Sequence, residues 1–277
     1  MILIRVLGNY FSIASSALIK TANRTAARTA VAAVAVLLAT STLVHSATIN
    51  YGTFNVPAAG IMFQNVSESS GTDAVPMFGP PEPYNIGMDF DPANFTSSSS
   101  GGSADTTDGQ LNFTIMGLVN ANGYVGITHF NLFEAGDYTL FGAGGAGTGV
   151  AAGAIARATI TQVNGLPVAP IALAPINASF GDTLPGNVVV GPWSLGLFYN
   201  ISAGLPSGQV ATKVEIAINN TLVTSSEAGS TAFIAKKDFR IDLSTDVVGN
   251  PIVPEPTTLV LSALSGVVAL AFRRGRA

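Results

Sequence analysis

Apolar and polar residues alternate at every second position through much of the middle of this chain. Trp193, Leu195, Leu197, Tyr199 and Ile201 fall on one face of an extended segment. Ser194, Gly196, Asn200 and Ser202 fall on the other, and Phe198 breaks the rule. Val210, Thr212, Val214, Ile216 and Ile218 likewise oppose Ala211, Lys213, Glu215 and Asn219. Phe233, Ala235, Phe239, Ile241 and Leu243 are set against Ile234, Lys236, Asp238, Arg240 and Asp242, and Leu111, Phe113 and Ile115 against Asn112 and Thr114. Successive side chains of a strand point to opposite faces, so this period predicts half-buried strands. Turn signals lie between them: Asn122-Gly123, Ala135-Gly136-Asp137, Asn164 to Pro167, Leu205 to Gly208 and Glu227 to Gly229. No long segment of helical period occurs between the ends. The expected fold is all-β, one antiparallel β-sandwich or jelly roll spanning 47–247. Within it, the serine-rich run from Ser97 to Ser103 reads as a flexible surface loop. The proline-rich stretch from Val75 to Pro92 reads as irregular.

The two ends follow a different pattern. Ala30 to Ala39 is apolar throughout, with Arg5, Lys20, Arg24 and Arg28 before it and no acidic residue among them. Val44-His45-Ser46-Ala47 follows, with the small residues that signal peptidase requires. A basic leader, a short apolar run and a small-residue cut define a secretory signal peptide, here 1–46 with an N-terminal signal helix. At the other end, 248–258 reads as a linker. Leu259 to Phe272 then carries no charge, and Arg273, Arg274 and Arg276 close the chain. A bilayer core takes about 20 apolar residues of helix, so a C-terminal transmembrane helix over 259–277 would be short and would rely on snorkelling arginines. The positive-inside rule keeps those arginines cytoplasmic and places the middle of the chain outside the membrane.

Composition sharpens this division. Residues 47–253 hold five basic and fifteen acidic residues, a balance of −10. Such a domain repels phosphate backbones and lacks the counterion-release drive of nucleic-acid binding, which excludes nucleic acid as a partner. The chain has no cysteine, which excludes disulfides, thiolate metal sites and cysteine nucleophiles.

Pro254-Glu255-Pro256, a short apolar helix and the terminal cluster Arg273, Arg274 and Arg276 together resemble the PEP-CTERM sorting signal of exported bacterial proteins. The resemblance covers about 25 residues, all at the C-terminal end. It implies export as a membrane-anchored precursor and processing near Pro-Glu-Pro by an exosortase-type membrane enzyme. The mature form would then lie at the cell surface or outside the cell, often among exopolysaccharide. The physical arrangement is coherent, because Pro254 and Pro256 cannot join a helix interior or a regular ladder and so hold the motif extended beside the membrane.

Candidate chemistry in the middle is sparse. Gly142 to Gly147 spells G-x-G-x-x-G, but β-branched and glycine-broken sequence follows and no acidic residue stands about 20 positions on, so the run reads as a loop between strands. His129 alternates with Ile127 and lies near no nucleophile-elbow serine, so it reads as a strand residue with a local hydrogen bond. Asp89, Asp91, Asp105 and Asp108 are candidate ligands for calcium, which takes six to eight oxygens. The same acids could serve a glycan hydrolase. Phe198 and Trp193 are candidate sugar contacts. Trp193 lies on the apolar stripe and so is the stronger candidate for the core, whereas Phe198 breaks the stripe. The leading expectation is a non-enzymatic binding or structural module associated with exopolysaccharide. A glycan-active hydrolase and a calcium-stabilised structural module are the alternatives.

Overall fold

The computed structural model describes residues 48–120 and 123–248. The expected signal peptide over 1–46, the Pro254-Glu255-Pro256 motif, Arg273, Arg274, Arg276 and the C-terminal apolar run all lie outside the described residues. Among the described residues there is no α-helix, and no helix is long and apolar enough to cross a membrane.

Fourteen strands follow one another among the described residues: β1 (Ile49–Val56), β2 (Ile61–Ser69), β3 (Glu82–Tyr84), β4 (Gly87–Phe90), β5 (Thr96–Ser100), β6 (Ala104–Gly117), β7 (Val119–Asn120), β8 (Gly123–Gly142), β9 (Gly149–Val163), β10 (Leu166–Ala172), β11 (Ile176–Thr183), β12 (Val188–Asn200), β13 (Ala211–Ser225) and β14 (Ser230–Val248). Every pairing is antiparallel.

The strands form two layers. The first sheet runs β1-β2-β6-β13-β9, and the far edge of β9 is shared by β11 along Gly149–Ala156 and by β10 along Thr159–Val163. The second runs β12-β8-β14, with β7 on β8. The far edge of β14 is shared by β5 along Thr231–Ala235 and by β4, followed by β3, along Phe239–Asp242. Among the described residues a single bridge, Ala211 to Ile127, joins the two. Elsewhere the sheets meet through side chains, as in a β-sandwich. Phe113 of β6 packs on Phe63 of β2 at 5.6 Å and on Phe130 of β8 at 6.3 Å.

The alternating segments form strands for the expected reason. Trp193, Leu195, Leu197, Tyr199 and Ile201 are all buried, as are Leu111, Phe113, Ile115, Val214, Ile216 and Ile218. Three local expectations are corrected. Ala135-Gly136-Asp137 is no turn but the middle of the 20-residue β8. Gly136 is small because a Cβ there would meet the Ala235 carbonyl oxygen at 1.9 Å and the Trp193 indole nitrogen at 2.8 Å. The serine run is no free loop, since Thr96–Ser100 pairs with β14. Of its two buried serines, Ser97 bonds Asp105 and Thr224 through Oγ, whereas the Ser99 hydroxyl has no hydrogen-bond partner among the described residues. The assumed single phase of the last strand fails at a bulge between Lys236 and Asp238. An extra residue reverses which parity faces inward. Ala232, Ile234 and Lys236 point in before the bulge, Phe239, Ile241 and Leu243 after it, and Phe233 is left outside.

The proline-rich stretch holds β3 and β4, and is tied down by a buried carboxylate. Glu68 accepts hydrogen bonds from the Met77 and Phe78 backbone N–H groups at 2.8 and 2.9 Å. This anchors Phe78 edge-on to Phe95 and Phe239, with ring centroids 5.1 and 4.9 Å apart.

Candidate functional site

The outer face of the second sheet carries what an outer face normally lacks. Antiparallel register sets its side chains in rows across β12, β8 and β14. Asn200, His129 and Ser244 form one row; Phe198, Asn131 and Asp242 the next; Gly196, Phe133 and Arg240 the third. The third row continues to Asp89 on β4.

Phe198 is 62% exposed and Phe133 is 37% exposed. The His129 ring lies against Phe198 at 4.8 Å with a 34° tilt, and its Nδ1 is 3.1 Å from the Thr128 hydroxyl. The Arg240 guanidinium sits 5.7 Å from the Phe133 centroid, in cation–π range. Its Nε lies 3.3 Å from Asp242. Tyr84 donates its hydroxyl to the same Asp242 carboxylate, whose acidity is weakened by burial. Gly196 leaves the lane between Phe198 and Phe133 open, because a Cβ there would have no heavy atom nearer than 4.0 Å. The arrangement offers two apolar ring faces with an amide, an imidazole, a guanidinium and a carboxylate around them. Such a surface suits a ligand with apolar faces and hydroxyl edges.

The opposite outer face, on the first sheet, is different in kind. Thr114, Glu215 and Thr159 form one row and Asn112, Ala217 and Arg157 another. They line a shallow depression of about 460 Å³ together with Asn65 and Ser67, with no exposed ring.

The other candidate residues are dispersed. Trp193 is 3% exposed. Its indole N–H donates to the Ala235 carbonyl at 3.0 Å, so it belongs to the core and offers no ring face to a sugar. Asp108 accepts hydrogen bonds from the Thr72 N–H at 3.0 Å, the Ser70 hydroxyl at 3.3 Å and the Thr72 hydroxyl. Asp105 accepts from the Ser97 hydroxyl and the Ser98 N–H at 3.1 and 2.9 Å. These carboxylates cap local turns and strand ends. Asp89 on β4 and Asp91 just after it stand instead near Asp238, whose carboxyl is raised by burial and then by their two charges, against the pull of Arg240. Among the described residues no three His, Cys, Asp or Glu side chains gather to hold a metal, so the four candidate calcium ligands are not brought together as one carboxylate cluster.

Phe133, Asn131 and Arg240 were not singled out from sequence. The available signal was in Phe130-Asn131-Leu132-Phe133-Glu134, where the phase that buries Phe130 and Leu132 also buries Glu134 and exposes Phe133.

No family model and no curated protein matches this sequence. Among solved structures, the chain is similar to a carbohydrate-binding module in complex with β-1,4-galactotriose, at 10% identity over 59% of this chain and 74% of that one, with a TM-score of 0.17. It is also similar to a carbohydrate-binding module specific for non-crystalline cellulose, at 12% identity over 60% and 79%, with a TM-score of 0.21. A third, the enzymatically active domain of a bacteriophage tailspike protein, matches at 14% identity over 68% of this chain and 20% of that one, with a TM-score of 0.16. Likenesses this slight carry no argument about ligand or activity. The sandwich assignment rests on the strand pairings themselves.

Proposed function

We propose that this protein is a non-catalytic binding module that takes a polysaccharide chain on the outer face of its second sheet. The observation that carries the reading is the Phe198 ring, exposed on the edge strand β12, backed by His129 and separated by an open lane from Phe133 and Arg240. A strand that exposes rings on an otherwise solvated face forfeits their burial, and such patches mark interaction sites. The acidic balance of the domain favours a neutral glycan, or one whose charges can meet Arg240, over a polyanion. Affinity electrophoresis of the mature protein through gels containing host exopolysaccharide tests this. Retardation is expected, and unchanged mobility in every neutral and acidic polysaccharide tried would sink the proposal.

Export and sorting through the Pro254-Glu255-Pro256 tail complete it, placing the module at the cell surface or in the surrounding matrix. The support is the order of motif, apolar run and arginines at the end of the sequence. Intact mass of the protein isolated from its host should give a C-terminus between Pro254 and Thr257. Retention of Arg276 in a membrane fraction would instead make the tail a simple single-span anchor.

A further inference from the structure

Between the two sheets lies a polar group of three that the binding surface does not use. Lys236 and Glu134 are each 1% exposed, and their side chains meet at 2.6 Å between Nζ and Oε2. Asn220, also 1% exposed, reaches across from β13 of the first sheet and donates its Nδ2 to the other oxygen of the same carboxylate, again at 2.6 Å. One carboxylate therefore holds an amine and a carboxamide side by side between the layers. Around the amine stand three rings, Phe95, Phe239 and Phe78, with centroids 4.5, 5.1 and 5.5 Å from Nζ. The carbonyl oxygen of Asn220 is buried without a hydrogen-bond partner among the described residues.

We propose that these three residues form an intramolecular isopeptide bond, joining Lys236 Nζ to Asn220 Cγ, with Glu134 as the proton carrier and ammonia as the leaving group. The bond would lock β13 of one sheet to β14 of the other.

The chemistry balances with nothing added. Across the 2.6 Å contact the Lys236 ammonium gives a proton to the Glu134 carboxylate, leaving a neutral amine beside a carboxylic acid. Burial favours this exchange, since removal from water holds the lysine below its ordinary value despite the opposing pull of Glu134. The amine lone pair then attacks Cγ of Asn220. A half-turn of the carboxamide brings its orphan oxygen onto the protonated Glu134, which donates a hydrogen bond as negative charge develops there. Glu134 accepts a proton from the attacking nitrogen and delivers one to the departing nitrogen. The Cγ–Nδ2 bond breaks and ammonia leaves. Lys236 ends as a neutral amide and Glu134 as a neutral acid able to hydrogen-bond to it. The rings exclude the water that would keep the amine protonated and hydrolyse the adduct. The driving force is explicit: a buried ion pair, whose desolvation is expensive, is replaced by uncharged groups.

An ordinary buried salt bridge predicts a different molecule, and mass distinguishes them. The full chain, purified and denatured, is expected to be lighter than its sequence mass by one ammonia, after allowance for any processed ends. Trypsin should fail to cut after Lys236. Cleavage after Glu227, which lies between the two residues, should leave the flanking peptides joined. A succinimide at Asn220 loses the same mass but lets those peptides separate. N220D should lose water instead and reach the same final mass as the natural chain, while K236M should keep its full sequence mass. E134Q, similar in shape but unable to carry the proton as a carboxylate does, should form the bond about a hundredfold more slowly. A natural chain at full sequence mass, cut by trypsin after Lys236, overturns the proposal. Peptides that separate after the Glu227 cut overturn it equally. Should E134Q fail to fold, N220D still decides the matter, because a folded N220D chain that retains its water has not formed the bond.

Discussion

The two sheets of this sandwich obey the same alternation to different degrees. In the first, the outer rows are Thr114, Glu215 and Thr159, then Asn112, Ala217 and Arg157, while Phe113, Ile115, Ile216 and Ile218 fill an inner face that is chiefly apolar, with Glu68 and Asn220 buried among them. The second is locally turned inside out. Its inner face buries Lys236 and Glu134, and its outer face exposes Phe133, Phe141, Phe198 and Phe233. A solvated sheet with one packed side should show the first pattern. Departures from local consistency concentrate where something other than folding is being served. The second sheet departs twice, once on each side.

Perturbing the inner side should have the largest effect. E134A leaves the Lys236 charge buried and unpaired, which destabilises by about 3–5 kcal/mol; chemical denaturation should show a lower midpoint and more unfolded protein at rest. The outer side should separate binding from stability. F198A and F133A are each expected to weaken polysaccharide binding about tenfold, or ~1.4 kcal/mol, in titration calorimetry. Their unfolding midpoints should stay within ~0.5 kcal/mol of the natural protein. A large loss of stability in F198A would mean that the ring packs and does not bind. N112A and T114A on the first sheet should leave binding unchanged within about 0.5 kcal/mol; if they abolish it, the site lies in the polar depression and the comparison between the sheets is reversed. The smallest effect belongs to Asp238. Burial, and then Asp89 and Asp91, raise it above the usual 3.8, so the folded protein binds that proton more tightly than the unfolded one. Stability should therefore rise as pH falls through the raised folded value toward the unfolded one. D238N should flatten that rise and add a few tenths of a kcal/mol near neutrality, damped by solvent screening and read as a small increase in thermal midpoint.

What was legible in the sequence was whatever repeats without a break. β12 keeps one phase from Trp193 to Ile201, so its buried face could be read off, and Phe198 stood out as the side chain that violated it. β14 could not be read as one piece, because the residue inserted near Lys237 changes the phase without leaving a turn signal. The serine strand was hidden for another reason. Ser97 is buried through its hydrogen bonds to Asp105 and Thr224, which carry no hydropathy. The inner polar group was out of reach altogether. Glu134 lies 86 residues from Asn220 and 102 from Lys236, and only the register of β8 with β14 and the packing of β13 across the layers bring them together.

The placement of the last described strand has a mechanical meaning. β14 lies in the interior of its sheet, paired with β8 on one side through Ser230–Val248 and flanked by β4 and β5 on the other. Tension on the chain beyond Val248 would run along this strand and load its many hydrogen bonds at once, in shear, instead of peeling them one by one. A module tethered from that end would pass force into the part of its fold best able to bear it, leaving β1 and β2 at the far edge of the other sheet unloaded.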